Sequence, residues 1–414
     1  MTSLLLARAG VEVVLLEKHD DFIRDFRGDT VHASTIRLLD ELGLGEAFRA
    51  LPQTRLDDLT IPTDGAGGHV VLGEFGRLRP PYNYVSMVPQ WDLLNLLVES
   101  AQAEPTFTLL RRTTATGLLV DGDGMAVGVH AEDETGSSIE IGADLVIACD
   151  GRRSVVRESS GLPERDYPVG FDTWWFRLPL PPEAAVETSL TPRFHERDVL
   201  LSFPRRNYEQ VAFFARKGSD AGIRFDGLTR FRERIVSLEP RFANRITALT
   251  SLEDVHLLDV RMMRLRRWWR PGLLIIGDAA HAMSPVGGVG VNLAIQDAVA
   301  AATRLARPLL SGRRNLDRSL AAVQRRRQLP TIAVQAGQRF LHRRVFDAAM
   351  GGRLANGAPR IAVILARHVP VARYLYARAV AFGPAPEHAP AFARRAKRRR
   401  RRRDQSVSRD VRLG

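Results

Sequence analysis

The stretch Leu273–Asn292, LLIIGDAAHAMSPVGGVGVN, decides how this chain is read. Its first four residues, Leu273–Ile276, are all apolar, the pattern of a strand buried on both faces of a parallel sheet. Gly277–Asp278–Ala279–Ala280–His281 follows the strand, and Pro285–Val286–Gly287–Gly288–Val289–Gly290–Val291–Asn292 leads into an apolar helix expected from about Val291 to Leu309. Carboxyl ends of parallel strands face the ligand crevice in open α/β sheets. The small Ala279 and Ala280 leave space for an elongated ligand, and Asp278 can accept hydrogen bonds from sugar-like hydroxyls. Gly287, Gly288 and Gly290 expose backbone N–H groups at a helix N-terminus, where peptide dipoles favour an anion. His281, behind two alanines, reads as a hydrogen-bonded structural histidine, with an acid–base role as the alternative.

The same architecture is legible at the start of the chain. Leu4–Ala9 reads as the end of a helix closed by Gly10, Val11–Leu16 as a buried strand, and Glu17 as the acid that ends it. Helix, glycine, strand and terminal acid make the second half of a dinucleotide-binding βαβ unit, in which the acid accepts from ribose hydroxyls. A solvent-facing acid after a strand is the alternative. The first half of such a unit carries a G-x-G-x-x-G turn. The sequence opens only sixteen residues before Glu17, already inside the helix, and contains no such turn there.

Between these ends, Arg27–Gly28–Asp29–Thr30 forms a loop whose guanidinium can clamp a phosphate or ribose edge, or stand solvated. Ser34 is expected to cap a helix running through Phe48, and Gln90–Ala103 is amphipathic. Thr108–Val120 and Met125–His130 read as strands joined at Asp121–Gly124. Leu145–Cys149 is a short apolar strand ending at Asp150–Gly151–Arg152–Arg153–Ser154, where glycine permits close backbone approach. Residues 165–260 change character: Trp174, Trp175, Phe176, Phe194, Phe203, Tyr208, Phe213 and Phe214 stand among prolines and charges, as in a sheet-rich second domain. Arg313–Ala336 and parts of 337–382 are helical in pattern.

In combination these motifs closely resemble those of the class A flavoprotein monooxygenases, the para-hydroxybenzoate hydroxylase and ubiquinone-biosynthesis hydroxylase fold group. Gly277–His281 with Pro285–Asn292 is similar to that family's second FAD motif, Asp150–Gly151 to its Asp-Gly motif, and Arg27–Leu44 to its flavin-side arginine loop and helix. The resemblance covers residues 3 to about 310. It implies an α/β fold, α+β overall: a three-layer, Rossmann-like FAD/NAD(P)-binding domain with an inserted sheet-rich substrate domain and a C-terminal helical region. The domains are expected at 1–55, 86–160 and 261–330 for FAD, and at 56–85 and 161–260 for substrate. A helical region at 331–390 and a disordered Arg-rich tail at 391–414 complete the chain.

For the site, the resemblance implies Glu17 on the adenosine ribose and Arg27 on the phosphates or ribose. Gln90 would reach the cofactor from its helix, and Asp150, Gly151 and Arg152 would support the pyrophosphate side and nicotinamide docking. Gly277, Asp278 and Ala279 fall to the ribityl or pyrophosphate region. Pro285, Gly287, Gly288, Val289, Gly290, Val291 and Asn292 fall to the pyrimidine end of the isoalloxazine. Pro285, Gly287, Gly288 and Gly290 would give electrostatic support to reduced flavin; no proton-transfer residue is assigned. The implied activity uses FAD, NAD(P)H and O₂ to hydroxylate an aromatic or quinone-like small molecule through a flavin C4a-hydroperoxide. An FAD-dependent reductase of the same fold is the alternative. The Trp-rich, lysine-bearing motif of flavin-dependent halogenases is not found. Without the glycine turn, weak FAD retention and poor solubility are expected of the 414-residue chain, an inactive truncated flavoprotein being the limiting case.

Composition agrees with a folded enzyme: 414 residues, 45% apolar and 26% charged. The single Cys149 excludes an internal disulfide and a multi-cysteine metal site, no metal is expected, and a cytoplasmic setting fits. The net charge of +13 is uneven, because residues 391–414 carry eleven Arg/Lys and two Asp. Nine of the ten residues Arg394–Arg403 are basic. That tail could bind a nucleic acid or sit peripherally on an anionic membrane, without base specificity. No apolar stretch has the length to span about 30 Å of hydrocarbon.

Overall fold

The computed structural model describes residues 1–22, 30–62, 69–181, 189–195, 197–205, 207–313, 315–347, 351 and 369–395. Arg27 and the basic run beyond residue 395 lie outside the described residues.

Two parallel strand pairs carry the predicted motifs at their carboxyl ends. Val13–Glu17 pairs with Phe107–Arg111, Glu17 lying opposite Arg111. Val146–Ala148 pairs with Leu273–Ile275, which is flanked on its other side by antiparallel Trp269–Arg270. Leu273, Leu274 and Ile275 are fully buried, as an unbroken apolar strand between covering layers must be. The covering helices are Thr2–Arg8, Gln90–Gln102 and Gly290–Leu310. Leu4, Leu5 and Leu6 of the first meet Leu93 and Leu97 of the second and Ile295, Val299 and Ala302 of the third in one core. Each such leucine contributes about 1.5–3 kcal/mol on burial.

Two local expectations are corrected. Thr108–Val120 is not one strand: Arg112 adopts φ 52° and turns a corner between Phe107–Arg111 and Thr114–Val120. The first piece joins the parallel pair, and the second joins an antiparallel meander with Ala126–Glu132 and Ser138–Gly142. Ser34 is not a cap either. The helix is Ala33–Glu41 with His32 at its N-cap, Ser34 is buried inside it, and a separate helix, Gly45–Ala50, follows the Gly43 turn. Tertiary contact of His32 overrides the local preference for serine at a cap.

The aromatic segment forms a five-stranded sheet in the order Arg193–His195, Asp198–Pro204, Tyr208–Arg216, Phe171–Pro179, His256–Leu258. Alternation splits its aromatics between two faces. Trp174, Phe176 and Phe213 pack beneath the helix Asp220–Leu238, whereas Trp175, Phe203 and Phe214 lie in the cluster on the opposite face. Nearby, Asp58–Pro62 pairs with His69–Glu74 and with Ser189–Leu190, tying the 56–85 region to this part of the chain.

Downstream, Asp317–Leu341 continues as a π-helical turn, His342–Phe346. Pro370–Phe382 forms another helix, and a strap from Gly383 to Arg395 returns across the molecule. Ala391–Arg395, expected in the tail, includes a 3₁₀ turn at Ala391–Ala393. Phe392 and Ala393 join the core around the first helix, and Arg8 Nη1 donates to the Ala393 carbonyl at 3.0 Å. The apolar Ala391–Ala393 stretch gives this end of the chain something to bury before the basic run begins. Among the described residues, no helix is long and apolar enough to cross a membrane.

Candidate functional site

The glycine loop is held from three directions. Gly277 ends the Leu273–Ile275 strand with φ 61° and ψ −146°, a backbone open to glycine. A Cβ there would stand 3.2 Å from the Ala294 Cβ, so helix and strand pack through the missing side chain. Gly287 and Gly288 also have positive φ, 83° and 59°, and a Cβ on Gly288 would come within 2.5 Å of Thr30 Oγ1. Gly290 begins the 21-residue helix, with Asp278 Oδ1 3.7 Å from where its Cβ would be. Asp278 therefore sits against the helix start.

Asn292 is the clasp. Its Oδ1 accepts from the His32 backbone N–H at 2.9 Å and from Thr35 Oγ1 at 2.8 Å. Its Nδ2 donates to the Thr30 carbonyl at 2.9 Å and the Gly288 carbonyl at 3.0 Å. One buried amide thus uses both oxygen lone pairs and both hydrogens to weld the Thr30–Thr35 segment to the glycine loop. From the other side, Gln338 Nε2 donates to the carbonyls of Ser284 and Val286 at 3.0 and 2.8 Å, and His342 Nε2 lies 3.0 Å from Ser284 Oγ.

Two histidines flank this loop and both are buried. Burial pushes His32 down from 6.5 to about 4, only partly opposed by its contacts with the Val380 and Gly287 backbones. Burial likewise pushes His342 to about 4. Both imidazoles are neutral near pH 7.

His281 does not pair with neighbouring Asp278 as its closest partner. Its Nε2 lies 2.5 Å from Asp297 Oδ2, and neither side chain is exposed. Arg327 Nε reaches Asp297 Oδ1 at 3.1 Å. Burial works to raise the Asp297 carboxyl, but His281 and Arg327 outweigh it and hold it below the usual carboxylate range. Sequence reasoning missed Asp297, Arg327, Gln338 and His342. The signal for Asp297 was present: it is the lone acid in the apolar run Ala294–Ala302.

The remaining predicted residues occupy strand ends. Glu17 is half-buried at the end of its strand and its Oε1 accepts from the His19 N–H at 3.0 Å. Asp150 is exposed; its Oδ1 accepts from Ser154 Oγ and its Oδ2 from the Val156 N–H at 3.3 Å, so it organises the start of the helix Val155–Ser160. Gly151, φ 84°, has open space where a Cβ would go. Arg152 Nη1 donates to the Asp259 carbonyl at 3.1 Å. Gln90 opens its helix, half-buried. Burial pushes the Cys149 thiol up to about 12, opposed in part by the chain's Met1 amino group and Thr2, so the start of the N-terminal helix lies close to the Cys149–Asp150 strand end.

These residues fit a flavin dinucleotide. The amides of Gly290, Val291 and Asn292 begin a long helix that has no side-chain cap, and Pro285–Val291 is half-buried or exposed rather than packed shut. Positive-φ glycines keep the loop free of side chains on the approach to those amides. An acid beside them suits a hydroxylated chain. When bound, FAD supplies the redox chemistry, taking reducing equivalents from NAD(P)H and passing them to O₂. Toward a cofactor held there, the protein would contribute the dipole of the Gly290–Leu310 helix start, which favours negative charge, and a loop clasped by Asn292 and Gln338.

Rossmann-like parallel strand pairs, a glycine loop opening a long helix and an antiparallel sheet whose cluster takes in Val286 of that loop are the arrangement of a class A FAD-dependent monooxygenase. The comparisons agree: the FAD binding domain family model matches residues 1–336, and the chain belongs to that family. It is 35% identical over 390 residues to the 6-methylpretetramide 4-monooxygenase of Streptomyces rimosus, covering 92% of this chain and 89% of that protein. It is 26% identical to the dialkyldecalin synthase of Streptomyces rugosporus, covering 73% of this chain but only 61% of that longer protein. Among solved structures, Pseudomonas aeruginosa PqsL in complex with 2-aminobenzoylacetate superimposes with a TM-score of 0.70 at 21% identity, over 85% of this chain and 95% of that one. The protein is an FAD- and NAD(P)H-dependent oxidoreductase that uses O₂ to hydroxylate a small molecule.

Proposed function

We propose that FAD lies along the strand ends, its adenosine ribose at Glu17 and its isoalloxazine at Pro285–Asn292, and that the enzyme hydroxylates a fused-ring phenolic or quinone-like substrate. The observation that carries this reading is the apolar cluster shared by Val286 of the glycine loop with Trp175, Leu201 and Phe203 of the five-stranded sheet. Loop and sheet thus pack against one apolar cluster, which puts this face of the sheet beside the flavin end of the proposed cofactor site. Trp175 and Phe203 stack there with centroids 6.0 Å apart and planes within 29°, a shelf suited to a flat ring system. Leu56, Met87 and Leu190 line a small opening next to Phe203. The relative named for acting on 6-methylpretetramide, 35% identical over nearly the whole chain, supports a polycyclic aromatic substrate.

Within this reading, Asp150 and Arg152 serve the pyrophosphate side, and Arg27 the phosphates. The basic run after residue 395 contacts anionic surfaces through counterion release and takes no part in turnover. The test is NAD(P)H-dependent O₂ uptake by FAD-loaded protein across a panel of polycyclic phenols, followed by mass spectrometry of product made under ¹⁸O₂. One labelled oxygen per product molecule is expected. A reduced product formed without O₂ uptake would instead establish the reductase alternative.

A further inference from the structure

The cofactor loop and the end of the chain share one buried carboxylate. Asp297 Oδ2 accepts from the Gly277 backbone N–H at 3.2 Å and from His281 Nε2 at 2.5 Å. Its Oδ1 accepts from Arg327 Nε at 3.1 Å. Asp297 and Arg327 are both 0% exposed. Arg327 is also a bridge, since its Nη1 donates to the Ala385 carbonyl at 3.1 Å and lies 3.4 Å from Glu387 Oε1. Gln296, one residue before Asp297, accepts from the Glu387 backbone N–H. Glu387 is held from outside by Arg326 Nε at 2.6 Å. Beyond it, His388 Nδ1 and the Ala389 N–H both reach Glu41 at 2.6 Å, which anchors the strap to the helix Ala33–Glu41.

This arrangement is expensive as packing. A buried ion cluster is often no more stable than apolar side chains of equal volume, so its value here is sought in the geometry it imposes. What the geometry specifies is the Gly277 turn. The Gly277 N–H points into the protein and finds its partner in Asp297, and the next residue is Asp278, which the family resemblance puts at the ribityl or pyrophosphate region of FAD. We propose that Asp297 is a positioning residue for FAD. Through Arg327 and Glu387, the strap Ala385–Arg395 sets how firmly the Gly277–Asp278 turn is held, and hence how tightly the cofactor is retained. The strap touches no part of the glycine loop directly in this chain of contacts; it acts through the Arg327 fork. The proposal rests on the cofactor placement given above.

The test uses the full chain, stripped of FAD and titrated with it by quenching of flavin fluorescence, alongside melting of the apo- and FAD-loaded forms. Glu387 is near the surface, so Glu387→Gln and Glu387→Ala are expected to fold. A lost charge-assisted hydrogen bond, partly transmitted, raises the FAD Kd about threefold for Glu387→Gln and about tenfold for Glu387→Ala. The stabilisation that FAD adds to the melting temperature should shrink in the same order. A merely structural contact would lower both melting temperatures together and leave the Kd alone, which would overturn the proposal. In an Asp297→Asn background, Glu387→Ala should have no further effect on the Kd; additive effects would also overturn it. If Asp297→Asn does not fold, the Glu387 series decides alone. Failure of the unaltered chain to bind FAD would instead refute the cofactor placement.

Discussion

Acidification should loosen this protein through the two histidines that grip the glycine loop. His32 lies against Gly287 and His342 against Ser284, 2% and 4% exposed, and burial holds each near 4 instead of 6.5. The sign follows from proton counting. Above about 6.5 neither the folded nor the unfolded imidazole carries a proton, and stability is full. Between 6.5 and 4 the unfolded chain takes up protons that the folded chain refuses, so stability falls with pH; below about 4 both states are protonated and the loss levels off. Between pH 7 and pH 5 each histidine costs about 1.8 kcal/mol, or about 3.6 kcal/mol together, if the unfolded value is 6.5. The assay is denaturant unfolding of FAD-free protein at pH 5, 6 and 7. His32→Gln and His342→Gln each set a new baseline, but each should remove about half of the pH slope, and the double variant nearly all of it. FAD release, read as rising flavin fluorescence, should follow the same window because both rings brace the loop. Stability constant to within about 0.5 kcal/mol from pH 7 to 5, or a slope that survives in the double variant, would refute the reasoning.

Other perturbations separate positions that look alike in the sequence. Gly288→Ala should destabilise by about 1–3 kcal/mol and strip bound flavin, because its Cβ meets Thr30 at 2.5–2.6 Å, while Gly151→Ala, with nothing within 4 Å, pays only the positive-φ strain of about 1–2 kcal/mol. Denaturation curves and visible flavin absorbance check both. Trp174→Leu should cost about 3 kcal/mol, since that ring is 1% exposed and donates to Asp220 Oδ1 at 2.9 Å; Trp175→Leu should leave stability within about 1 kcal/mol but raise the KM for aromatic substrate. Removing residues 396–414 should leave flavin content and NAD(P)H oxidation unchanged while abolishing salt-sensitive retention on heparin or anionic vesicles. Retention that persists at low salt would place the binding surface elsewhere.

Much of the site was legible because its signals are local. The unbroken run Leu273–Ile276 has the pattern of a covered strand, and the glycines that follow it stand at the start of an apolar helical stretch. Glu17 and Asp150 likewise stand where short apolar strands stop. The split of Trp174 from Trp175 follows from strand alternation, but which face would meet the glycine loop does not. The long Thr108–Val120 run hid a corner at Arg112 because each half finds a different partner strand.

What the sequence by itself determined, then, is the α/β class, the strand ends that carry the motifs, and a glycine loop that opens a long helix. Each of these is a matter of period, of breakers and of one residue beside the next. Tertiary structure alone decided that His32 rather than Ser34 starts its helix, that Asn292 clasps a segment 260 residues away, and that Asp297 joins Gly277 and His281 to Arg327 and the returning strap. Those contacts join polar groups far apart in the chain. A buried donor or acceptor takes whichever partner the fold delivers, and local pattern carries no record of that choice.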